Sequence, residues 1–141
     1  MKIELDSSPT FEDQQIVQNG LRQHNDQHVP ADGDSSFAVF LRGADGNVVG
    51  GVLARAGRGW LRIGTLWVDA SLRGQGYGRN LMTAVEAEGR RRGCHGAYLD
   101  TFSFQARPFY EQCGYEVFGT LEAFPDEHQR FFMRKPLSKS E

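Results

Sequence analysis

The sequence predicts an α+β protein with a mixed, mostly antiparallel central sheet flanked by helices. Three observations carry that reading. Three β-rich segments between Phe37 and Val68 are separated only by turn residues, the pattern of an antiparallel meander. The apolar period then lengthens to that of a helix over residues 79–92 and returns to a strand at 97–102. The resulting strand–helix–strand unit, 60–102, should close as a right-handed parallel crossover, which makes the sheet mixed.

Taken in order, Ile3 and Leu5 suggest a short first strand. Residues 11–27 read as a helix, because Ile16, Val17 and Leu21 recur one turn apart. Thr10 is its candidate N-cap, with Asp13 three residues on. Residues 29–36 are rich in Pro, Asp, Gly and Ser and read as a loop. Strands at 37–42 and 48–55 flank Ala44-Asp45-Gly46-Asn47, whose Asp-Gly pair signals a hairpin. Gly57-Arg58-Gly59 turns the chain into a third strand at 60–68. Residues 69–78 form a loop, and the helix at 79–92 puts Leu81, Met82, Val85 and Gly89 on one face. Its last arginines, 90–92, suit the negative end of the helix dipole, and Gly93 stops it. A strand at 97–102 leads to a short helix at 105–113, with Pro108 in its first turn and Gly114 as its stop. Strands at 115–121 and 130–135 complete the order β-α-β-β-β-α-β-α-β-β.

No linker or repeat interrupts the 141 residues, so residues 1–141 read as a single domain. Cys94 and Cys113 are too few for a disulfide framework and lack metal-ligand spacing; both read as small apolar residues, and no metal is expected. No apolar run has the length of a membrane span, and the N-terminus lacks the apolar segment of a signal peptide. The expected compartment is therefore the cytoplasm. A net charge of −2 argues against a nucleic-acid binder. A homodimer is the ordinary expectation for a soluble oligomer.

The charge is segregated. Residues 1–34 hold seven acids against Lys2 and Arg22, a local −5. Residues 53–92 hold eight arginines against Asp69, Glu86 and Glu88, a local +5. A solvated surface explains this without function. The functional alternative is an anion site in the middle of the chain, with an N-terminal part that tolerates cations.

The stretch Leu66-Trp67-Val68-Asp69-Ala70-Ser71-Leu72-Arg73-Gly74-Gln75-Gly76-Tyr77-Gly78-Arg79 is the most informative. A strand ends, and glycines at every second position lead into a helix. Glycine admits positive φ and lets a ligand approach the amides. The first N–H groups of a helix lack internal partners, and the dipole adds positive potential. With Arg73 and Arg79 at its ends, the stretch predicts a phosphate or pyrophosphate site. No Gly-Lys-Ser/Thr is present, so it is not a Walker loop. A dinucleotide fingerprint would need glycine where Arg79 stands, although Asp100 lies where an acid is expected.

Arg73-x-x-Gly76-x-Gly78, after an apolar strand and before a helix, resembles the acetyl-CoA loop of the GNAT superfamily of N-acyltransferases. Gln105-Ala106-Arg107-Pro108-Phe109-Tyr110-Glu111-Gln112-Cys113-Gly114-Tyr115 resembles its Asn-x-x-Ala-x-x-Phe-Tyr-x-x-x-Gly-Phe region. Gln105 stands directly before Ala106, where the family has Asn further back, and Tyr115 replaces Phe. The resemblance covers about residues 36–135, matches in element order and points to a small bacterial branch. It implies that the strand ending at Leu66, Trp67 and Val68 pairs with the pantetheine arm at a splay between the middle strands. It implies that amides of Gly74, Gln75, Gly76, Tyr77, Gly78 and Arg79 bind the pyrophosphate, with Arg73 close by. Gln105 would stand near the cofactor arm, and Tyr110 beside the thioester sulfur.

The implied chemistry is acetyl transfer from acetyl-CoA to a small-molecule or peptidic amine by direct attack in a ternary complex. The Val68 N–H is the family-like donor to the oxyanion, and Tyr110 protonates the departing thiolate. Many members carry a base on the strand before the loop, but residues 60–68 hold no carboxylate. Asp100 is the first candidate base; His24, His28, His128 and a water chain are others. Trp67, Phe102 and Phe104 are candidates for the acceptor wall, and the 124–128 loop for acceptor contacts. A CoA- or nucleotide-binding sensor without turnover is the alternative from another class.

Overall fold

The computed structural model describes residues 1–29 and 35–137. The chain divides into two units, Met1–Asp32 and Gly33–Glu141. The first is a single helix, α1 (Phe11–Asp26), none of whose residues is buried. The Thr10 hydroxyl caps it, accepting the Asp13 N–H at 3.1 Å. The strand expected at Ile3 and Leu5 is absent, since residues 1–10 contain none. So short a segment forms a strand only beside a paired edge, and its own unit supplies none. Positions 30–34 of the expected loop lie outside the described residues.

In the second unit, β1 (Ser35–Arg42), β2 (Val48–Gly57) and β3 (Trp60–Val68) form the expected meander. Asp45 and Gly46 turn the first hairpin. Gly46 takes φ +84°, and the Asp45 carboxylate accepts the Asn47 N–H at 3.1 Å. A short 3₁₀ turn, Ala70–Leu72, leads to α2 (Tyr77–Arg91), then β4 (Gly96–Phe102), α3 (Arg107–Gln112), β5 (Glu116–Leu121) and β6 (Arg130–Pro136). The six strands lie in the order β1-β2-β3-β4-β6-β5. Only β3 and β4 run parallel; the other neighbours are antiparallel.

Alternation along the strands gives the sheet two unlike faces. Val52, Ala54, Ala56, Leu61, Ile63, Ala97, Leu99, Phe131 and Met133 turn to one side and form the core with Leu81, Met82 and Val85 of α2. Gly89 lets that helix approach: a Cβ there would stand 2.9 Å from Leu61 Cδ2. Both later helices end in the same stop. Gly93 and Gly114 take φ +87° and +96°. The Cys94 N–H then reaches Gly89 O, and the Tyr115 N–H reaches Tyr110 O, so the next residue is turned inward.

One buried charge ties these elements together. Glu86 of α2 is 4% exposed. It accepts the Tyr115 hydroxyl at 2.8 Å and Lys135 Nζ at 2.8 Å, and that ammonium also donates to Cys113 O at 2.8 Å. Helix, sheet and the end of α3 are thus joined by hydrogen bonds that leave no buried side-chain polar atom unpaired among the described residues. Burial, with Glu86 next, pushes the Tyr115 phenol far above its ordinary pKa.

Tyr110 is shifted the same way, up to about 12 from 10.0, by burial first and then by Cys113 and Asp100. In the unfolded chain both phenols ionise near pH 10, so the stability they retain below that pH is lost as pH rises toward about 12. Stability read from urea titrations should be flat to about pH 9.5 and then fall, by roughly 1.4 kcal/mol per pH unit for each phenol held neutral. Tyr115→Phe should flatten that fall. An unchanged alkaline slope in the variant would show that Tyr115 is not held neutral by its surroundings.

Candidate functional site

A bulge on β3 opens the sheet. Ile63 pairs with Ala54 and Thr65 with Leu53, so Gly64 is the extra residue. A bulge bends its strand and re-aims the residues beyond it. β3 therefore pairs with β4 only at Trp60, Leu61 and Arg62, opposite Gly96, Ala97 and Tyr98. Beyond Arg62 the two strands diverge, and a cleft of about 930 Å³ opens between them.

The ladder fixes what β3 presents to the cleft. The Asp69 N–H donates to Val49 O at 2.8 Å, on the β2 side. Backbone groups alternate along an antiparallel strand, so the N–H and C=O of Val68 and Leu66 face away from β2, into the cleft. Val68 O accepts Arg73 Nε at 3.0 Å. Arg73 thus clamps the strand end. Asp69 caps the 3₁₀ turn, accepting the Ser71 N–H at 3.1 Å and bonding the Ser71 hydroxyl. Those two bonds hold its carboxyl below the ordinary range.

The loop then enters α2 through two left-handed glycines, Gly74 at φ +77° and Gly76 at φ +88°. At both, a Cβ would meet nothing within 4 Å. Glycine is needed there for the backbone turn, and the space beside it is open cleft. Helix α2 begins at Tyr77, not Arg79, so Tyr77, Gly78 and Arg79 lie in its first turn. Asn80 N to Gly76 O, at 3.1 Å, is the first helical bond. The N–H groups of Gly76, Tyr77, Gly78 and Arg79 consequently lack intrahelical acceptors. Unlike α1, this helix has no side-chain cap and no acid in its first turn. Four aligned donors thus stand on the positive end of a helix dipole, an arrangement suited to an anion.

Gly78 does different work from its neighbours. A Cβ there would stand 3.3 Å from Phe109 Cζ, so it seats α3 on α2. Arg79 reinforces that contact, donating from Nη2 to Gln112 O at 2.7 Å. This puts Tyr110, from α3, on the cleft wall with Leu66 and Val68 of β3. Its hydroxyl makes no hydrogen bond to any described residue, although the side chain is largely buried against Phe109 and Tyr115. Nearby, burial pushes the half-buried Cys113 thiol up, which keeps it neutral and unlike a nucleophile.

Two other expected residues line the cleft but are already engaged. Gln105 Oε1 accepts the Phe102 N–H at 2.8 Å and the Thr101 hydroxyl at 3.2 Å, bracing the end of β4. That brace, with non-helical Ala106, explains why α3 starts at Arg107 and not at Gln105. Asp100 Oδ2 accepts Arg130 Nε at 2.8 Å, a pair that raises the pKa of Arg130. Arg130 in turn lies over the rings of Phe102, Phe124 and Phe132. Trp67 and Phe104, both about half exposed, form the outer part of the cleft near residues 66–68 and 104–106. His128 lies behind Phe104, with its ring edge-on at 5.0 Å and Nδ1 3.2 Å from Ser103 Oγ. His24 and His28 pack on each other, 4.9 Å apart, in the N-terminal unit.

The Asp100–Arg130 pair, the Glu86 cluster and the packing role of Gly78 were not expected from the sequence. Only the pattern Phe124…Phe132 around Arg130 could have hinted at the first. No His, Cys, Asp and Glu group suited to a metal occurs among the described residues. None of their helices is long and apolar enough to cross a membrane.

Known proteins share this architecture. Residues 3–115 match the acetyltransferase (GNAT) family. The chain is 40% identical over 83 residues to the acetyltransferase Atu2258 of Agrobacterium fabrum, covering 59% of this chain and 61% of that one. It is 36% identical over 90 residues to the blasticidin-S acetyltransferase of Streptomyces morookaense, covering 63% and 66%. The match thus spans less than two thirds of each of these relatives. A crystal structure described as a putative acetyltransferase from Agrobacterium tumefaciens superposes with a TM-score of 0.90 and 29% identity, covering 96% of this chain and 99% of that one. With the family matched over most of its length, the cleft, the glycine turn and the uncapped helix are those of a chain that belongs to the GNAT family of acetyltransferases.

Proposed function

We propose that this protein transfers the acetyl group of acetyl-CoA to an amine by direct attack within a ternary complex. The observation that carries this is the continuous path along the cleft, from the open β3 edge at Leu66 and Val68 to the four unbonded N–H groups at Gly76–Arg79. The free strand edge suits the amide-bearing arm of CoA, and the helix end suits its pyrophosphate. Both glycines leave open space where the phosphates would lie. Acetyl-CoA supplies the activated acyl group.

The residues then have distinct tasks. The Val68 N–H, turned into the cleft, donates to the oxygen that gains charge when the amine nitrogen bonds to the thioester carbon. The C–S bond breaks, and the Tyr110 hydroxyl donates to the departing sulfur. A phenol near 12 is about three units weaker as an acid than a thiol, so complete transfer is uphill by roughly 4 kcal/mol. Tyr110 therefore acts first as a hydrogen-bond donor to the thiolate. Its proton is replaced by the one the amine releases through solvent. The ion-paired Asp100 fits a wall charge better than a waiting base, and water in the open cleft carries that first proton. Trp67 and Phe104 offer the acceptor an aromatic surface.

A thiol-release assay with acetyl-CoA and a panel of amines tests the reading, with blasticidin S, polyamines, aminoglycosides, amino acids and basic peptides included. Thiol release that requires the amine, with a product 42 Da heavier (about the mass of one acetyl group replacing a proton, as the transfer chemistry requires), is the expected result. CoA binding without turnover on any amine would favour the sensor reading, for which the pairing of Asp100 with Arg130 speaks.

A further inference from the structure

Helix α3 carries Tyr110 but does not hold itself in place. It is six residues long, none of them is fully buried, and Ala106 at its start offers no side-chain cap. So short a helix is unstable in water by itself, and its position is set by what grips it. The grips stand on either side of Tyr110. Before it, Phe109 rests against Gly78, where a Cβ would stand 3.3 Å from Phe109 Cζ. After it come two carbonyls at the helix end, which the helix itself leaves without partners. Gln112 O accepts Arg79 Nη2 at 2.7 Å, and Cys113 O accepts Lys135 Nζ at 2.8 Å. The Tyr110 carbonyl accepts the N–H groups of Cys113 and Tyr115, both at 3.0 Å, so a shift of this helix end moves Tyr110.

The grips differ in origin. Lys135 comes from β6 and is fixed by the buried Glu86, away from the cleft. Gly78 and Arg79 are consecutive residues in the first turn of α2, the turn whose N–H groups face the anion site. Arg79 therefore works in two directions. Its N–H is one of the four donors without an intrahelical acceptor, while its guanidinium is engaged on the end of α3. As a sequence position it reads as a charge for the phosphates; in the fold its side chain bonds a carbonyl two residues beyond Tyr110.

We infer that Arg79 is a positioning residue for acetyl transfer: its side chain fixes the end of α3, and with it the Tyr110 hydroxyl, to the turn of α2 that would hold the pyrophosphate. This rests on the acetyl-transfer reading, in which Tyr110 donates to the departing sulfur. An anion seated on the turn fixes the Arg79 backbone, so CoA binding steadies the donor before the C–S bond breaks. The link is reciprocal, since a steadier α3 also steadies the turn. A misplacement of about 1 Å at a reacting group can cost on the order of 10²-fold in rate, so one hydrogen bond at this point has a measurable effect.

Arg79→Met tests this, because it keeps the backbone N–H and removes the side-chain donor. With an amine that the wild type acetylates, kcat should fall about tenfold. CoA affinity should change by less than about threefold, which also shows that the fold is kept. Arg79→Lys, which can still donate to Gln112 O, should recover most of the loss. In a Tyr110→Phe background, Arg79→Met should cost less than about twofold, because both act through one hydroxyl. Hydrogen exchange at the Cys113 amide gives a readout that needs no amine: with CoA bound, it should be roughly tenfold faster in Arg79→Met than in the wild type. Wild-type kcat in Arg79→Met overturns the inference, as does an equal loss in the Tyr110→Phe background or unchanged exchange at Cys113. Weakened CoA binding with kcat intact also overturns it, and would put the guanidinium on the phosphates. Failure of the acetyl-transfer reading looks different: no amine yields product, or Tyr110→Phe alone matches the wild type, and either leaves Arg79 no donor to position.

Discussion

Tyr110→Phe should lower kcat by roughly 10²- to 10³-fold, the worth of one well-placed donor to developing charge. The substitution removes a single oxygen that bonds no described residue, and it leaves the ring against Phe109 and Tyr115. Acetyl-CoA affinity should change by less than about 1 kcal/mol, because the donor is needed only as the C–S bond breaks. The pH profile adds a second readout. Tyr110 holds its proton up to about pH 12, so wild-type turnover should rise as the amine deprotonates and show no decline from this group below about pH 11. Turnover within twofold of wild type in the variant would remove Tyr110 from the chemistry and leave it as packing. It would not touch the binding part of the account.

Gly76→Val should weaken CoA binding by at least 2 kcal/mol, roughly thirtyfold. Gly76 sits at φ +88°, where a β-branched residue is strained, and a strained turn moves the amides just after it. The new side chain would also project into the open space beside the loop, since nothing in the protein lies within 4 Å of a Cβ there. The fold should survive for the same reason. Gly78→Ala provides the contrast. Its Cβ presses on Phe109 at the α2–α3 contact, so it should cost stability before affinity. Calorimetry that finds equal CoA affinity in folded Gly76→Val would detach this loop from the site.

The frame of the second unit was legible because its signals are local. Asp45-Gly46 fixes the hairpin, the switch of period after Val68 marks the crossover, and Gly93 and Gly114 stop their helices where expected. The glycine loop was legible as a candidate anion site for the same reason: orphan helix donors follow from chain order alone. Features that depend on partners far apart in sequence were not legible. Asp100 looks like a free carboxylate until Arg130 is brought against it by the pairing of β4 with β6. Glu86 looks like surface charge until Tyr115 and Lys135 arrive from the end of α3 and from β6. Gly78 looks like one of three phosphate glycines until Phe109 is seen above it. The strand expected at Ile3 and Leu5 failed differently: alternation was present, but the edge it needed was not.

The central claim is that CoA lies in the cleft between β3 and β4 with its pyrophosphate on the start of α2. Amide chemical-shift mapping of the full chain, titrated with CoA alone, tests it most directly. The largest shifts should fall on Gly74, Gly76, Tyr77, Gly78 and Arg79, with a second set at Leu66 and Val68. Shifts confined to the cavity lined by Trp60, Arg62, Tyr98 and Arg134 on the sheet, with residues 74–79 unmoved, would contradict it.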